Sequence, residues 1–205
     1  MLASAVGMKY SSLLEIDMIV PFQTRIVVAR GLSLEDFAAD SPKPSSRPPT
    51  SADADQSTLI EGVTASALTP HADERGWLCE LLTTREEPIE PIVHVYQVAA
   101  APGSIRAWIY HRRQHDRLAI TNGSFEVVLY DLRPNSPTLN HLNVFRLGQV
   151  QPCLLRIPPY VVHGVRNVGG DWAFFVNMPT QAYRNEAPDK CRIPYDDPRI
   201  PYTFE

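Results

Sequence analysis

The sequence predicts an all-β domain closed into a sandwich or barrel, and three features predict it. From about residue 60, short apolar or alternating runs recur every eight to twelve residues, at 62–68, 76–83, 91–98, 104–110, 117–121, 125–131, 142–147, 153–157, 162–166 and 172–178. Strand side chains alternate between faces, so runs of this length at this spacing are the pattern of half-buried strands. Turn formers separate the runs: Asp73–Gly76, Pro102–Gly103, Asn122–Gly123, Pro134–Pro137, Gly148, Pro158–Pro159 and Gly169–Gly170. No stretch of comparable length carries the period of an amphipathic helix.

In chain order, residues 1–39 form an N-terminal arm. It holds one β-like run, Arg25–Val28, and a short helix expected after Ser33, whose side chain suits an N-cap ahead of Glu35, Asp36 and Phe37. Residues 40–57 are dominated by proline, serine and small acidic residues, the composition of a disordered linker. The division expected is therefore a flexible arm and linker over 1–59 and a barrel with its C-terminal tail over 60–205. Asn122–Gly123, between Leu118–Thr121 and Phe125–Leu129, predicts a two-residue hairpin, because a type I′ turn needs positive φ at both positions. In the proline-rich tail, Tyr195, Tyr202 and Phe204 supply apolar surface to pack back on the barrel.

At 205 residues with 44% hydrophobic content, the chain has a core to bury. A formal charge of −4 and a pI near 5.9 are opposite to the basic face of a nucleic-acid binder, so no nucleic-acid partner is expected. No apolar run approaches the roughly 20 residues of a membrane helix. Glu15 and Asp17 interrupt the only candidate signal peptide, so no membrane association or secretion is expected. Cys79, Cys153 and Cys191 are too sparse for a disulfide framework or a zinc site and fit reduced thiols in a cytoplasmic protein.

The densest chemistry lies between Arg106 and Asn167, where arginines and histidines recur along β-like segments. Pro158 and Pro159 make a turn that delivers His163 into the next strand. Residues 158–167 follow the second cupin motif, P-x-G-x-x-H-x-x-x-N, with Tyr160 in the glycine position. That motif sets His163 on the inner face of a jelly roll; a buried histidine satisfied by a neighbour is the plainer alternative. The first cupin motif, with histidines two residues apart, is not met, since Gly103 is followed by His111 and then His115. Residues four apart on a strand stand roughly 13 Å from each other, too far to share one ion, so no metal is expected.

Residues 60–205 resemble the dTDP-4-dehydrorhamnose 3,5-epimerases, a cupin-fold family of sugar-nucleotide epimerases. The markers are D-x-R-G-x-x-x-E at Asp73, Arg75, Gly76 and Glu80; Arg106, which opens the family's R-G-L-H strand; and Arg117–Leu118 in place of K-L. D-x-R-x-x-S-P-T follows at Asp131, Arg133, Ser136, Pro137 and Thr138, then I-P-x-x-x-x-H-G at Ile157, Pro158, His163 and Gly164, and a late D-P at Asp197–Pro198. The resemblance implies a cupin jelly roll, also called a double-stranded β-helix, and a homodimer with exchanged N-terminal strands. It implies a dTDP-linked 4-keto-6-deoxy sugar as ligand and proton transfer without a cofactor. The ketone acidifies the hydrogens beside it; a base removes one, an acid returns one, and cations hold the enolate. The catalytic candidates are His111, His163, Asp197 and Arg117, and the substrate-binding candidates are Arg75, Glu80, Arg106, Asp131 and His94.

Two family positions hold other residues. The R-G-L-H histidine aligns with Ile109 and the family's acid tyrosine with Asn177, and neither side chain has useful acidity. His111, two residues on, projects from the same strand face roughly 7 Å away and is the expected replacement base. The contrary reading places it in a solvated loop with Arg112, Arg113 and His115. Tyr110, Tyr130, Tyr160 and Tyr183 are the candidate acids. Two other functions stay open: a sugar or sugar-nucleotide binding cupin without catalysis, and a metal-dependent cupin.

Overall fold

The computed structural model describes residues 22–27, 31–39, 58–83 and 90–205; the linker expected at 40–57 lies outside them. The described strands are β1 (Phe22–Ile26), β2 (Ala38–Ala39), β3 (Thr64–Ala67), β4 (Pro70–Asp73), β5 (Gly76–Cys79), β6 (Tyr96–Ala100), β7 (Ile105–His111), β8 (Asp116–Ile120), β9 (Ser124–Asp131), β10 (His141–Gly148), β11 (Cys153–Ile157), β12 (Val161–Asn167), β13 (Ala173–Asn177) and β14 (Lys190–Arg192). Seven form one sheet in the order β1-β10-β9-β12-β7-β14-β2, and five form a second in the order β3-β11-β8-β13-β6. Neighbouring strands pair antiparallel in both. The two sheets face each other over one apolar core. Phe125, Val127 and Leu129 of β9 and Val161 and Val165 of β12 meet Leu118 and Ile120 of β8, Leu155 of β11 and Phe175 of β13. This is the jelly roll that the strand spacing and the second cupin motif predict.

The seven-stranded sheet is apolar on its outer face too. Trp108, Tyr110, Val128 and Tyr130 are covered by Leu32 and Phe37 of the arm and by Ile200 and Phe204 of the tail. Burial on both faces explains why β9 reads as an almost unbroken apolar run. The arm is thus less separate than its composition suggests. β1 pairs with β10, β2 pairs with β14, and a single 3₁₀ turn over Leu34–Asp36 follows Ser33, whose N–H donates to the Asp36 carboxylate at 2.8 Å. Two buried apolar residues in a polar stretch give little sequence signal, because their partners come from distant strands.

The hairpin expected at Asn122–Gly123 is absent. β8 and β9 lie in different sheets, and the chain crosses the barrel at this corner. Gly123 has φ of 72°, whereas Asn122 is not among the residues with positive φ. A Cβ at Gly123 would meet the Ala173 Cβ at 2.3 Å, so the glycine serves close approach between the sheets. Asn-Gly marks a chain reversal, and the same chemistry suits a corner as well as a hairpin.

The second-motif turn has a direct physical basis. Tyr160 sits at φ 63°, the left-handed region in which the motif's glycine is at ease. Its N–H donates to the His111 carbonyl at 2.7 Å and its ring stacks on Tyr110 at 5.7 Å, contacts that offset the strain. After His163, the pairing of β12 with β7 slips at a bulge, from His163↔Ile109 to Val165↔Arg106. Gly164 faces that bulge, where a Cβ would meet the Ala107 Cβ at 2.4 Å. β4 and β5 make a separate two-stranded sheet that exposes Trp77 and Leu78.

Candidate functional site

Five strand ends meet at one end of the barrel: β7 finishes at His111, β8 starts at Asp116, β12 carries His163 near its start, β13 finishes at Asn177 and β6 starts at Tyr96. Strand alternation selects what points inward. Leu118 and Ile120 face the core, so Asp116 does too; Val161 and Val165 flank His163 in the same way.

Asp116 is 3% exposed and is the centre of the cluster. Its Oδ1 accepts hydrogen bonds from Gln114 Nε2 at 2.7 Å and from Asn177 Nδ2 at 2.8 Å. Its Oδ2 lies 3.2 Å from His163 Nε2 and 3.3 Å from His111 Nε2. Burial pushes the Asp116 carboxyl up, but the two imidazoles outweigh burial and hold it well below the usual carboxylate range. His163 donates from Nδ1 to the Val161 carbonyl at 3.0 Å and turns Nε2 to Asp116, so both ring nitrogens lie within the cluster. His111 differs. Its Nδ1 makes no hydrogen bond, and the Asp189 carboxylate at 3.8 Å is near enough for charge attraction only. His111 also lines a cleft with Arg113, Gln114, Tyr183, Arg184 and Asp189.

Asn177 is fully engaged. One amide hydrogen goes to Asp116 and the other to the Tyr96 hydroxyl at 2.8 Å, while Oδ1 accepts from the Arg117 N–H at 3.2 Å. The Tyr96 oxygen therefore acts as acceptor, and its own hydrogen stays available to a ligand. Burial first, then the charge of Asp116, raises the Tyr96 phenol, against a smaller lowering by Asn177. Among the described residues, His111, Asp116 and His163 are also the group able to hold a metal ion, with ligand atoms within 4.8 Å of one another.

The sequence candidates divide. His111 and His163 come together with ring centroids 6.1 Å apart, and the His111 side chain is 11% exposed, not in a solvated loop. His94 packs its ring against Tyr96 at 5.3 Å, beside the cluster. Arg106 is exposed and donates to the Ala99 carbonyl at 3.3 Å across the seam between the sheets, five residues or roughly 16 Å along β7 from His111.

Five candidates are placed elsewhere. Arg117 falls on the outer face of its sheet, because its neighbours Asp116 and Leu118 take the inner one; it donates to the carbonyls of Met178, Glu90 and Pro91 at 2.6, 2.8 and 3.0 Å. Asp197 is held by Arg199, which also binds Asp36 of the arm at 2.9 Å, in the tail behind the seven-stranded sheet. Asp131 staples its own turn, accepting from Arg133, Ser136 and Thr138 at 2.8, 2.6 and 2.7 Å. Arg75 stands at the tip of the β4–β5 hairpin, 81% exposed and paired with Asp73. Glu80 follows β5 on the exposed surface. Asp116, Gln114 and Tyr96 are the residues that sequence reasoning missed. The signal for Asp116 was an acid opening the apolar strand D-R-L-A-I, in phase with Leu118 and Ile120. His115, weighed as a metal partner of His111, turns instead to Glu90 at 3.3 Å.

Residues 57–204 match the sequence model of the dTDP-4-dehydrorhamnose 3,5-epimerase family. The spore coat polysaccharide biosynthesis protein SpsL of Bacillus subtilis is 36% identical over 146 residues, which is 71% of this chain and 97% of that protein. The probable low-salt glycan biosynthesis epimerase Agl13 of Haloferax volcanii is 38% identical over 140 residues, 67% of this chain and 89% of that protein. The crystal structure of a dTDP sugar isomerase from Desulfovibrio desulfuricans is similar with a TM-score of 0.67 and 30% identity, covering 72% of this chain and 94% of that one. With its fold and second cupin motif in place, the chain belongs to the dTDP-4-dehydrorhamnose 3,5-epimerase family.

Proposed function

We propose that this protein epimerises or isomerises a dTDP-linked 4-keto-6-deoxy sugar in the cytoplasm by moving a proton on a carbon beside the ketone, without a cofactor. The observation that carries the reading is the His111–Asp116 pair at the barrel mouth, within a family of sugar-nucleotide epimerases. In the tautomer with its hydrogen on Nε2, His111 donates to Asp116 and keeps a lone pair on Nδ1, a buried atom without a hydrogen-bond partner in a residue that lines the cleft. The carboxylate then stabilises the imidazolium that forms when Nδ1 accepts a substrate proton. His163, Gln114 and Asn177 hold Asp116 in place. The Tyr96 hydroxyl supplies a hydrogen to the enolate or to the carbon. Arg106 and the cleft arginines Arg113 and Arg184 favour an anionic diphosphate.

The active form is read as a homodimer with exchanged strands. An isolated two-stranded hairpin is marginal in water, and β4–β5 exposes Trp77 and Leu78. Ile92, Val93 and Val95, which lead into the edge strand β6, are half exposed as well. In such a dimer, Arg75 and Glu80 reach the partner's mouth. One observation favours a binding protein without catalysis, namely Ile109 and Asn177 in the family's acid–base positions.

A thermal-shift panel of dTDP, UDP, GDP and their sugars tests the ligand class. A dTDP-sugar at 100 times its Kd is expected to stabilise the native state by about 2.7 kcal/mol, and Arg106→Ala to reduce that shift. Equal or absent shifts across the panel would remove the nucleotide-sugar reading.

A further inference from the structure

We infer that His111, Asp116 and His163 form a binding site for one divalent transition-metal ion of the zinc type, going beyond the proton-transfer reading. Three ligand atoms converge: His111 Nε2, His163 Nε2 and Asp116 Oδ2. The spacing of the two histidine–aspartate edges fits a coordination site. Charge-assisted N–H···O bonds are usually about 2.7–2.9 Å long. Here the nitrogens stand 3.2 and 3.3 Å from Oδ2. Two tetrahedral ligands, each about 2.0–2.1 Å from a zinc-sized ion, are separated by roughly 3.3–3.4 Å. The observed separations match that edge.

The outer atoms of the three ligands supply an independent observation. Ligating side chains are commonly oriented by hydrogen bonds to their remaining polar atoms. His163 Nδ1 is held by the Val161 carbonyl at 3.0 Å, which frees Nε2 for an ion. Asp116 Oδ1 is held by the amides of Gln114 and Asn177 at 2.7 and 2.8 Å, which frees Oδ2. His111 Nδ1 makes no hydrogen bond, and the negative charge of Asp189 stands 3.8 Å from it, on the side where a metal-bound neutral imidazole carries its hydrogen. Two imidazoles and one carboxylate suit zinc, iron, cobalt or nickel better than calcium or magnesium. Three protein ligands leave the remaining position to water or a ligand oxygen.

The ion and the catalytic proton exclude each other on His111. A neutral imidazole carries one N–H. With the hydrogen on Nε2, Nδ1 is a base; with a metal on Nε2, the hydrogen sits on Nδ1 and the base is lost. Metal-loaded and proton-transferring forms are therefore different states of one cluster.

Full-length protein stripped with chelator and titrated with ZnCl₂ by calorimetry tests the site. Wild type is expected to bind one ion per chain, and folded Asp116→Asn and His163→Gln to bind at least about 100-fold more weakly. Co²⁺ loading of wild type adds a readout that needs no variant: intense visible bands of a four- or five-coordinate nitrogen–oxygen site are expected. No saturable Zn²⁺ binding, weak bands of fully hydrated Co²⁺, or undiminished binding by the folded variants would overturn the inference. Solvent-proton exchange by the same stripped protein in chelator reports the proton-transfer reading separately, so failure of one is distinguishable from failure of the other.

Discussion

At the scale of single residues, Asp116 concentrates the chemistry. Its carboxylate is buried beside two imidazoles, with an amide pair on its other oxygen. Removing one partner of such a buried arrangement typically costs about 3–5 kcal/mol. Asp116→Asn is therefore expected to lower the free energy of unfolding by about 3 kcal/mol at pH 7, measured by urea denaturation. The carboxyl is depressed in the folded state, so the stability it contributes is complete above the unfolded carboxylate value of about 4 and is lost as pH falls below it. Urea midpoints should hold from pH 7 to 5 and fall below about pH 4, and Asp116→Asn should flatten that fall. A fall equally steep in the variant would assign it to other carboxyls. His163 was legible in the sequence because a proline turn and fixed spacing mark it. Asp116 was not, because a single acid at a strand start resembles any loop residue until the strand's phase is known. Arg117 shows the same limit from the other side: a family position alone did not tell which face of β8 it takes.

At the scale of elements, most strands of the barrel were legible as short apolar or alternating runs between turn formers: β7, β11 and β13 alternate in burial, while β8, β9 and β12 are buried on both faces. What escaped was set by long-range partners. β14 lies in a polar tail and becomes a strand by pairing with β7; β1, which the expected run Arg25–Val28 overlaps only at its end, is fixed by pairing with β10. The corner at Gly123 was misread as a hairpin because turn chemistry does not specify which strands pair. The β4–β5 hairpin carries the element-scale prediction. Its exposed Trp77 and Leu78 need a partner surface, and the dimer reading supplies one. Light scattering should give twice the 23.0 kDa chain mass for wild type. The double variant Trp77→Ser, Leu78→Ser should dissociate. Wild type at the mass of a single chain would refute the dimer.

At the scale of the whole molecule, the barrel separates support from chemistry. One face of the seven-stranded sheet is sealed by arm and tail, and the other closes over the core, and the inward-facing polar cluster of His111, Asp116 and His163 sits at the strand ends. The family resemblance reached the fold through its turns and arginines. It did not reach the site as arranged here, because Asp131 and Asp197 serve the surrounding turns while Asp116, Gln114 and Tyr96 surround the histidines. The central claim is that His111, held by Asp116, moves a proton beside a sugar ketone. Its most direct test is deuterium uptake from D₂O at C3 or C5 of a dTDP-4-keto-6-deoxyhexose, followed by mass spectrometry in the presence of chelator. Wild type should incorporate deuterium and folded His111→Ala should be at least about 100-fold slower, the scale of a lost general base. No uptake by wild type that binds the sugar nucleotide, or uptake undiminished in His111→Ala, would contradict it.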